Sequence, residues 1–228
     1  MSKRRLSKEE LESDPLIENY TKAVNYYQTH KPTILAAVIG IVVVVGSLIG
    51  YNYYSEQQEL EAQNLLATAE SYYNQGDYDK ALNGDSFELT YGFAQIANDY
   101  SGTHAGNLAT YYAAVSAYRL GNVEEAISFF NNFEVPRGIL GVGPLTFHAK
   151  LLDENEQNEL SSTMYLKAAE WDVNDNTTPY NLLKAAQASY EAGNYDDASD
   201  IATRVIREYP QSPEIADAQK LLGMLAAL

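Results

Sequence analysis

The sequence contains no cysteine, and this absence excludes several kinds of site. Without thiols there is no disulfide framework, no thiolate nucleophile and no cysteine-ligated zinc. Basic residues are also scarce, since 15 lysines and arginines stand against 31 aspartates and glutamates, a formal net charge of −16. Proteins that bind phosphate backbones need clustered Lys and Arg, so this balance argues against a nucleic-acid partner.

Catalytic and metal-binding patterns are equally scarce. The chain has three histidines, and no two of them share the i,i+4 or HExxH spacing that places zinc ligands on one helix face: His30, His104 and His148. The carboxylate pairs 124–125 and 196–197 begin predicted helices, where the helix dipole accounts for acidic side chains. We therefore expect a protein that is not an enzyme, with no metal, no cofactor and no small-molecule substrate.

One long apolar segment is present near the N-terminus. Residues 32–55 include no charged side chain, and Thr33 begins a run of nineteen residues dominated by Val, Ile, Leu, Ala and Gly. As a helix this run covers about 28 Å, close to the thickness of a hydrocarbon core. A buried core helix and a cleaved signal peptide are the alternatives, but the outer flank offers no small-x-small cleavage site. The pattern predicts an uncleaved transmembrane signal anchor at 33–54.

The flanking charges predict the orientation of this span. Six basic residues precede it, whereas the next basic residue after it is Lys80: Lys3, Arg4, Arg5, Lys8, Lys22 and Lys31. The positive-inside rule therefore places residues 1–32 in the cytoplasm and residues 55–228 on the other side. Asp14 and Pro15 resemble a helix start, and the apolar stripe of Leu16, Tyr20, Ala23 and Tyr27 predicts a short amphipathic helix in the leader. That helix would lie along the inner membrane surface or against a partner.

Small residues recur every four positions inside the predicted span. Ala36 and Gly40 form one pair, and Gly46 and Gly50 form another. Such small-xxx-small pairs let a second membrane helix approach closely, although glycine is also common in spanning helices without that role. We expect these four residues to pack a second helix if one is present.

A short motif occurs three times in the remainder of the chain, as GDYDKA at 76–81, GNVEEA at 121–126 and GNYDDA at 193–198. The last alanines are 45 and then 72 residues apart, and the larger spacing is about twice the period of roughly 34 residues used by helix-turn-helix repeats. A degenerate copy is therefore expected between them. The same register predicts its first helix at 145–153, its turn at 154–157, and a second-helix core of Ser161, Tyr165 and Ala168.

The stretch SYYNQGDYDKAL at 71–82 resembles a tetratricopeptide (TPR) repeat, and Pro210 is similar to the proline that closes a TPR unit. The resemblance implies an all-α fold, in which a single transmembrane helix precedes a TPR-like helical-hairpin solenoid of about four units. Two departures are visible. An insertion after the first unit predicts a loop and a helix near 87–98. The Gly- and Pro-rich segment 136–144 predicts a loop that either connects two units, with Ile139, Leu140 and Val142 packed against the adjacent repeat, or contacts a partner.

Stacked helix pairs form a concave face that is lined by the first helix of each unit. In the register above, eight residues point to this predicted groove: Leu66, Tyr73, Tyr111, Val115, Tyr118, Tyr180, Leu183 and Tyr190. Tyrosine suits such a face because its ring is rigid and its tip is polar. The same tyrosines can instead pack between neighbouring helices, so the sequence leaves both roles open.

A single anchor with its N-terminus inside, followed by an exported TPR domain, resembles the YfgM-type ancillary subunits of the bacterial SecYEG translocon. Residues 26–54 and the acidic entry 56–62 are similar to that family's junction. The resemblance implies a scaffold on the periplasmic face of the inner membrane, which works with a PpiD-type chaperone and holds protein partners or newly exported chains. An envelope assembly scaffold for cell division, outer-membrane biogenesis or secretion, without translocon contact, is the alternative that the sequence does not separate.

Overall fold

The computed structural model describes residues 15–227, apart from the side chain of Leu16. Within that range the chain forms ten helices and no strands, which confirms the all-α prediction. They are α1 (Pro15–Asn74), α2 (Tyr78–Asn83), α3 (Phe93–Asp99), α4 (His104–Arg119), α5 (Val123–Asn132), α6 (Ile139–Glu154), α7 (Asn158–Trp171), α8 (Thr177–Glu191), α9 (Tyr195–Glu208) and α10 (Ile215–Leu225). The predicted Asp14 cap and the first four basic residues lie outside the described range.

The residues divide into two compact units after Gln57. In the first unit α1 leaves helical geometry at His30 (φ −112, ψ 15), two residues before Pro32. Proline lacks the N–H of a helical ladder and crowds the preceding turn, which accounts for an interruption at this place. The predicted amphipathic leader helix is the part of α1 before this interruption. Its predicted apolar positions Tyr20 and Tyr27 are exposed.

The apolar part of α1 is long and apolar enough to cross a membrane, and none of its most apolar 18-residue window is buried. Val42 and Val43, for example, are 63% and 60% exposed. A helix at the core of a soluble protein would bury these side chains, so the buried-helix alternative does not describe this segment. The predicted boundaries at 32/33 and 54/55 stay predictions.

The second unit consists of four helical hairpins and a final helix. The end of α1 pairs with α2, where Tyr73 packs against Tyr78 with ring centroids 5.4 Å apart. The other hairpins are α4 with α5, α6 with α7, and α8 with α9, while α3 belongs to the insertion after the first hairpin. The degenerate third hairpin lies where the repeat period predicts it, and Ser161, Tyr165 and Ala168 are buried as expected. Four TPR-like units are therefore confirmed.

The hairpin crossings explain the small residues of the motif. Ala81, Ala126 and Ala198 have no exposed surface, and Ser161 takes their place in the third hairpin, where its Oγ donates to the carbonyl oxygen of Ala149 at 3.0 Å. Small side chains let the two helices of a hairpin approach closely. The larger apolar side chains fill the space beside these crossings, in one core cluster around the first two hairpins and another around the last two.

The two predicted loop segments differ from expectation. In the first, the helix begins at Phe93 rather than near residue 87, because the Asp85 side chain accepts hydrogen bonds from the backbone N–H groups of Phe87 (2.8 Å) and Glu88 (3.3 Å) and holds a turn there. In the second, helix α6 already begins at Ile139, so most of the predicted loop 136–144 is helical. Trp171 supports this helix start, since its Nε1 donates to the carbonyl oxygen of Pro136 at 2.9 Å.

The apolar centre of that segment does not behave as one group. Val142 is 2% exposed, so it packs into the repeat as one alternative predicts. Ile139 and Leu140 are 55% and 75% exposed. The expectation that all three side chains pack against the neighbouring unit was therefore wrong for two of them.

Candidate partner-binding face

In each hairpin, one side of the first helix can be identified by counting residues back from the turn between the two helices. The turn residues are Gly76, Gly121, Glu156 and Gly193, all with positive φ. Positions three, six and ten residues before each of them are separated by three and four residues, so they share one side of the helix. We call their twelve residues the first-helix face: Leu66, Glu70, Tyr73, Tyr111, Val115, Tyr118, Thr146, Lys150, Asp153, Leu183, Gln187 and Tyr190.

The predicted groove residues fall into two classes. Leu66, Val115 and Leu183 are only 6%, 8% and 5% exposed, and Leu66 and Leu183 belong to the two core clusters. They hold the helices together, and little of their surface is open to a partner. The tyrosines are half-buried, apart from Tyr180, which is 41% exposed. The prediction that the groove binds a partner therefore rests on the tyrosines.

The tyrosine rings also contact their neighbours. Tyr73 packs edge-on against Tyr112, with ring centroids 5.1 Å apart. Tyr111 packs against Phe130 at 5.9 Å, and burial raises the pKa of its hydroxyl. Tyr73 and Tyr111 thus pack against neighbouring side chains, which is one of the two roles that the sequence left open, and each leaves part of its surface exposed. Contact of these tyrosines with a partner stays a prediction.

Tyr118 takes part in a polar cluster that joins two units. The Lys150 ammonium donates to the Tyr118 hydroxyl oxygen at 2.7 Å, pairs with Glu154 at 2.8 Å and lies 4.7 Å from the Tyr118 ring centroid. These hydrogen bonds, to Glu154 first and Tyr118 second, raise the pKa of Lys150. The Tyr118 ring also packs edge-on against Phe147 at 5.2 Å. This contact fixes α4 against α6 and orients the tyrosine ring.

The third unit gives the first-helix face a polar centre. Asp153 stands where the other units have Tyr73, Tyr118 and Tyr190, and its Oδ1 is buried without a hydrogen-bond partner among the described residues. Burial raises the pKa of this carboxyl, against the opposing charge of Lys184. The charged form of Asp153 therefore lowers the free energy of unfolding. It stands at the position three residues before the turn, where the other three units have a tyrosine.

Three residues of this polar centre, Thr146, Lys150 and Asp153, are absent from the sequence-predicted groove. The first helix of the third unit has no tyrosine at these positions, and its turn has no glycine, so motif matching alone does not identify it. The repeat register does identify all three, because they lie ten, six and three residues before Glu156, the turn residue of this unit. Thr146 is also tied to the last unit, because its Oγ1 donates to Asn181 Oδ1 at 2.8 Å.

A cleft lies beside α8, the first helix of the fourth hairpin. It has a volume of about 340 Å³ between α8 and α10, and two members of the first-helix face, Gln187 and Tyr190, form part of its wall. Its other lining residues are Glu191, Asp217, Lys220, Leu221 and Met224. The mixture of apolar and charged side chains suits a protein segment better than a purely apolar ligand.

The small residues of the apolar helix have open surroundings. A Cβ added at Gly40, Gly46 or Gly50 would meet no atom within 4 Å, and Ala36 is exposed. Packing of a second membrane helix at these four positions stays a prediction. Across residues 15–227, no three His, Asp or Glu side chains are grouped so that they could hold a metal ion.

Comparison with known proteins agrees with the repeat register. The tetratricopeptide repeat family model matches residues 63–84, 108–134 and 180–212, which are the first, second and fourth units. The degenerate third unit is recognised from its structure. A search of the curated proteins finds no match.

Two solved structures share this fold. Both are crystal structures of kinesin light chain nearly identical TPR-like repeats from Podosopora anserina. One, a single-substitution variant, has a TM-score of 0.50 at 12% identity and covers 73% of this chain and 93% of that chain. The other has a TM-score of 0.51 at 12% identity, with coverage of 72% and 85%. At this identity the likeness establishes the fold alone, a TPR-like helical solenoid.

Proposed function

We propose that this chain is a non-catalytic, membrane-anchored scaffold whose repeat domain binds protein partners through the first-helix face. One observation carries the proposal: Tyr73, Tyr118 and Tyr190 recur at a single register position in three units, each half-buried with part of its ring exposed. A ring that served the core alone would be fully buried, whereas each of these rings keeps part of its surface in solvent. Partly exposed aromatic rings on one stripe favour contact with another protein.

The arrangement of the units supports an extended partner segment. Stacked hairpins place equivalent positions side by side, so the first-helix face forms a strip that crosses all four units. Tyrosines line the strip on both sides of the third unit, whose Lys150 and Asp153 supply charge at its centre. We infer that the tyrosines provide most of the affinity and that the polar centre restricts which segments fit.

The apolar part of α1 supports the proposed membrane attachment. Its exposed apolar side chains would face lipid, and the basic residues before it favour a cytoplasmic N-terminus. Protease added to intact spheroplasts should then digest the chain beyond Tyr54 and spare the leader. Full protection of the repeat domain would show that the orientation is wrong.

For location and partner, the proposal follows the resemblance to YfgM-type subunits. We place the repeat domain in the periplasm, at the inner membrane beside the SecYEG translocon, where a PpiD-type chaperone and newly exported chains would be its partners. The support is the combination of one anchor, exported repeats and an aromatic strip. An envelope assembly scaffold would need the same three features, so the identity of the partner decides between the two.

Photo-crosslinking from Tyr180, which lies three residues before Leu183 on α8 and continues the first-helix face by one turn, identifies that partner. Tyr180 is the most exposed of the predicted groove tyrosines, so p-benzoylphenylalanine at this position in the full chain samples the strip with little disturbance of the core. Thr203, exposed on second helix α9, is the matched control position. Adducts with a translocon subunit, a PpiD-type chaperone or exported chains from Tyr180 alone support the proposal. Adducts only with division, outer-membrane or secretion components favour the alternative, and equal adducts from both positions contradict the face.

A further inference from the structure

The loop between α2 and α3 carries the most exposed large apolar side chains anywhere in residues 15–227. Phe87 is 97% exposed and Leu89 is 84% exposed. We call these two residues the apolar tip. Isolated surface hydrophobics are ordinary, but two large ones that project side by side from one short loop place an unusual amount of apolar surface in water. Nothing in the repeat fold requires them, because neither side chain contributes to the core clusters.

The loop that presents the apolar tip is held rigidly. The Asp85 carboxylate, only 8% exposed, pairs with the Lys80 ammonium at 2.7 Å and accepts the Phe87 N–H at 2.8 Å. Asp85 and Thr90 also close the base of the loop through reciprocal hydrogen bonds, one from the Asp85 N–H to Thr90 Oγ1 at 2.9 Å and one from the Thr90 N–H to the Asp85 carbonyl oxygen at 3.0 Å. A loop braced in this way does not fold its tip back onto the domain.

Two further contacts fix the orientation of the tip. The Tyr72 hydroxyl donates to the Glu88 carboxylate at 2.6 Å, which ties the middle of the loop to the first helix. Leu89 itself adopts a left-handed backbone with φ 53, a conformation that is costly for a leucine. The surrounding hydrogen bonds offset this cost, and Leu89 stays exposed two residues after Phe87.

The charges around the tip indicate what kind of surface it fits. Residues 76–95 carry four carboxylates and one ammonium: Asp77, Asp79, Asp85, Glu88 and Lys80. Because Asp85 is buried and paired with Lys80, the net charge left on this segment is that of Asp77, Asp79 and Glu88, and it is acidic. An anionic membrane surface would repel this rim. A second copy of the chain offers little attraction either, because residues 51–228 carry 26 acidic and 9 basic side chains. The complementary surface is an apolar pocket surrounded by Lys or Arg.

We propose that the apolar tip is a second docking element, which inserts Phe87 and Leu89 into an apolar pocket with a basic rim on a different protein. Two protruding side chains form a knob, so the partner supplies the concave surface. Their area is small compared with a standard interface, and the tip therefore acts as an anchor within a larger contact. This site is separate from the first-helix face and does not depend on its proposed function.

The absence of native cysteine allows a direct test. Ser86→Cys in the full chain places a single thiol beside an intact tip, and benzophenone maleimide attached to it crosslinks whatever the tip contacts in native membranes. Asn131→Cys, on an exposed position of α5, is the matched control. The crosslinked peptides are identified by mass spectrometry, at low and at high salt, with Phe87→Ser and Leu89→Ser combined as the tip variant.

We expect one protein adduct from residue 86, with its crosslink site among apolar residues flanked by Lys or Arg, and none from residue 131. The tip variant should reduce the yield of this adduct about tenfold or more, and high salt should reduce it further.

The tip variant should have the same melting temperature as the parent, because the two side chains are almost fully exposed. A yield that the tip variant leaves unchanged, an adduct with lipid or with a second copy of the chain, or no specific adduct would each overturn the proposal. The salt response of the parent chain alone tests the basic rim, whatever the variant's stability.

Discussion

Glu156 and Gly121 occupy the same position in consecutive hairpins, and both adopt a left-handed backbone, with φ of 57 and 86. Each donates its N–H to the carbonyl three residues earlier, Asp153 for Glu156 and Tyr118 for Gly121, both at 3.0 Å. The next residue donates to the carbonyl five residues earlier, which completes a Schellman motif in each case. The third hairpin therefore keeps the turn geometry of its neighbours without the glycine that favours it.

The strain at this turn gives a first prediction. Glu156→Gly should increase the free energy of unfolding by roughly 0.5 kcal/mol, because relief of the left-handed strain outweighs the added freedom of the unfolded chain. Gly121→Ala should change stability by a similar amount in the opposite direction. A Cβ at Gly121 would meet no atom within 4 Å, so only the backbone conformation is tested. Thermal melting of the full chain in detergent measures the stability of both variants. A Glu156→Gly variant less stable than the parent would contradict the proposed backbone strain at this turn.

The half-buried carboxylate of Asp153 gives a second prediction. Its pKa is raised in the folded protein, so the native state binds a proton more tightly and loses stability relative to the unfolded state as pH rises above about 4. Asp153→Asn removes this charge. The variant should melt at a higher temperature than the parent at pH 7, and the difference should shrink as the pH falls towards 4. A difference independent of pH would show that the charge is not the cause.

Buried His148 gives a third prediction with the opposite dependence on pH. The side chain is 6% exposed, stacks on Phe130 with ring centroids 5.4 Å apart, and its Nε2 has no hydrogen-bond partner among the described residues. Burial lowers its pKa, with a smaller contribution from the charge of Lys167. As pH falls below 6.5 the unfolded chain is protonated first, so stability declines, by at most about 1.4 kcal/mol per pH unit.

The measurement is the slope of stability between pH 7 and pH 5. In His148→Leu this slope should be smaller than in the parent, whatever the absolute stability of the variant. His148→Gln is the polar control and should show the same reduced slope, because neither replacement titrates. Equal slopes in all three proteins would mean that His148 does not control stability in this range.

The hairpin crossings give a fourth prediction. Ala126 has no exposed surface, so Ala126→Arg should cost several kcal/mol through overpacking and burial of an unpaired charge. Ser128→Arg, on an exposed position of the same helix, is the matched control and should stay within about 0.5 kcal/mol of the parent. Equal melting temperatures for Ala126→Arg and the parent would contradict the assignment of Ala126 to a helix crossing.

Much of the repeat fold could be predicted from local sequence. The turns could be located from the motif glycines, because a positive φ is favoured by glycine itself and does not depend on distant contacts. These glycines are Gly76, Gly121 and Gly193. The third unit could be found without such a glycine because the repeat period fixes where it lies, and its crossing residue Ser161 is small enough to serve in place of alanine.

The features that were missed depend on contacts between distant residues. The start of α6 is supported by Trp171, which lies 35 positions from its acceptor at Pro136, and no local pattern indicates that bond. The burial of Val115 follows from helix packing rather than from its place in the repeat. The tip formed by Phe87 and Leu89 was likewise hidden, because apolar residues in an insertion ordinarily predict a packed helix.

The binding affinity of the partner identified from Tyr180 tests the role of the first-helix face most directly. We expect Tyr118→Ala combined with Tyr190→Ala to weaken binding by about 2 kcal/mol or more, with little effect of raised salt on the parent. Because Tyr118 also packs between units, the variant must melt like the parent, and Tyr180→Ala with Tyr190→Ala provides a second pair that leaves that contact intact. Glu159→Gln with Asp200→Asn, on exposed second-helix positions, is the matched control and should bind normally. Parental affinity in both folded tyrosine pairs, with binding lost at high salt or in the acidic control, would contradict recognition through the first-helix face.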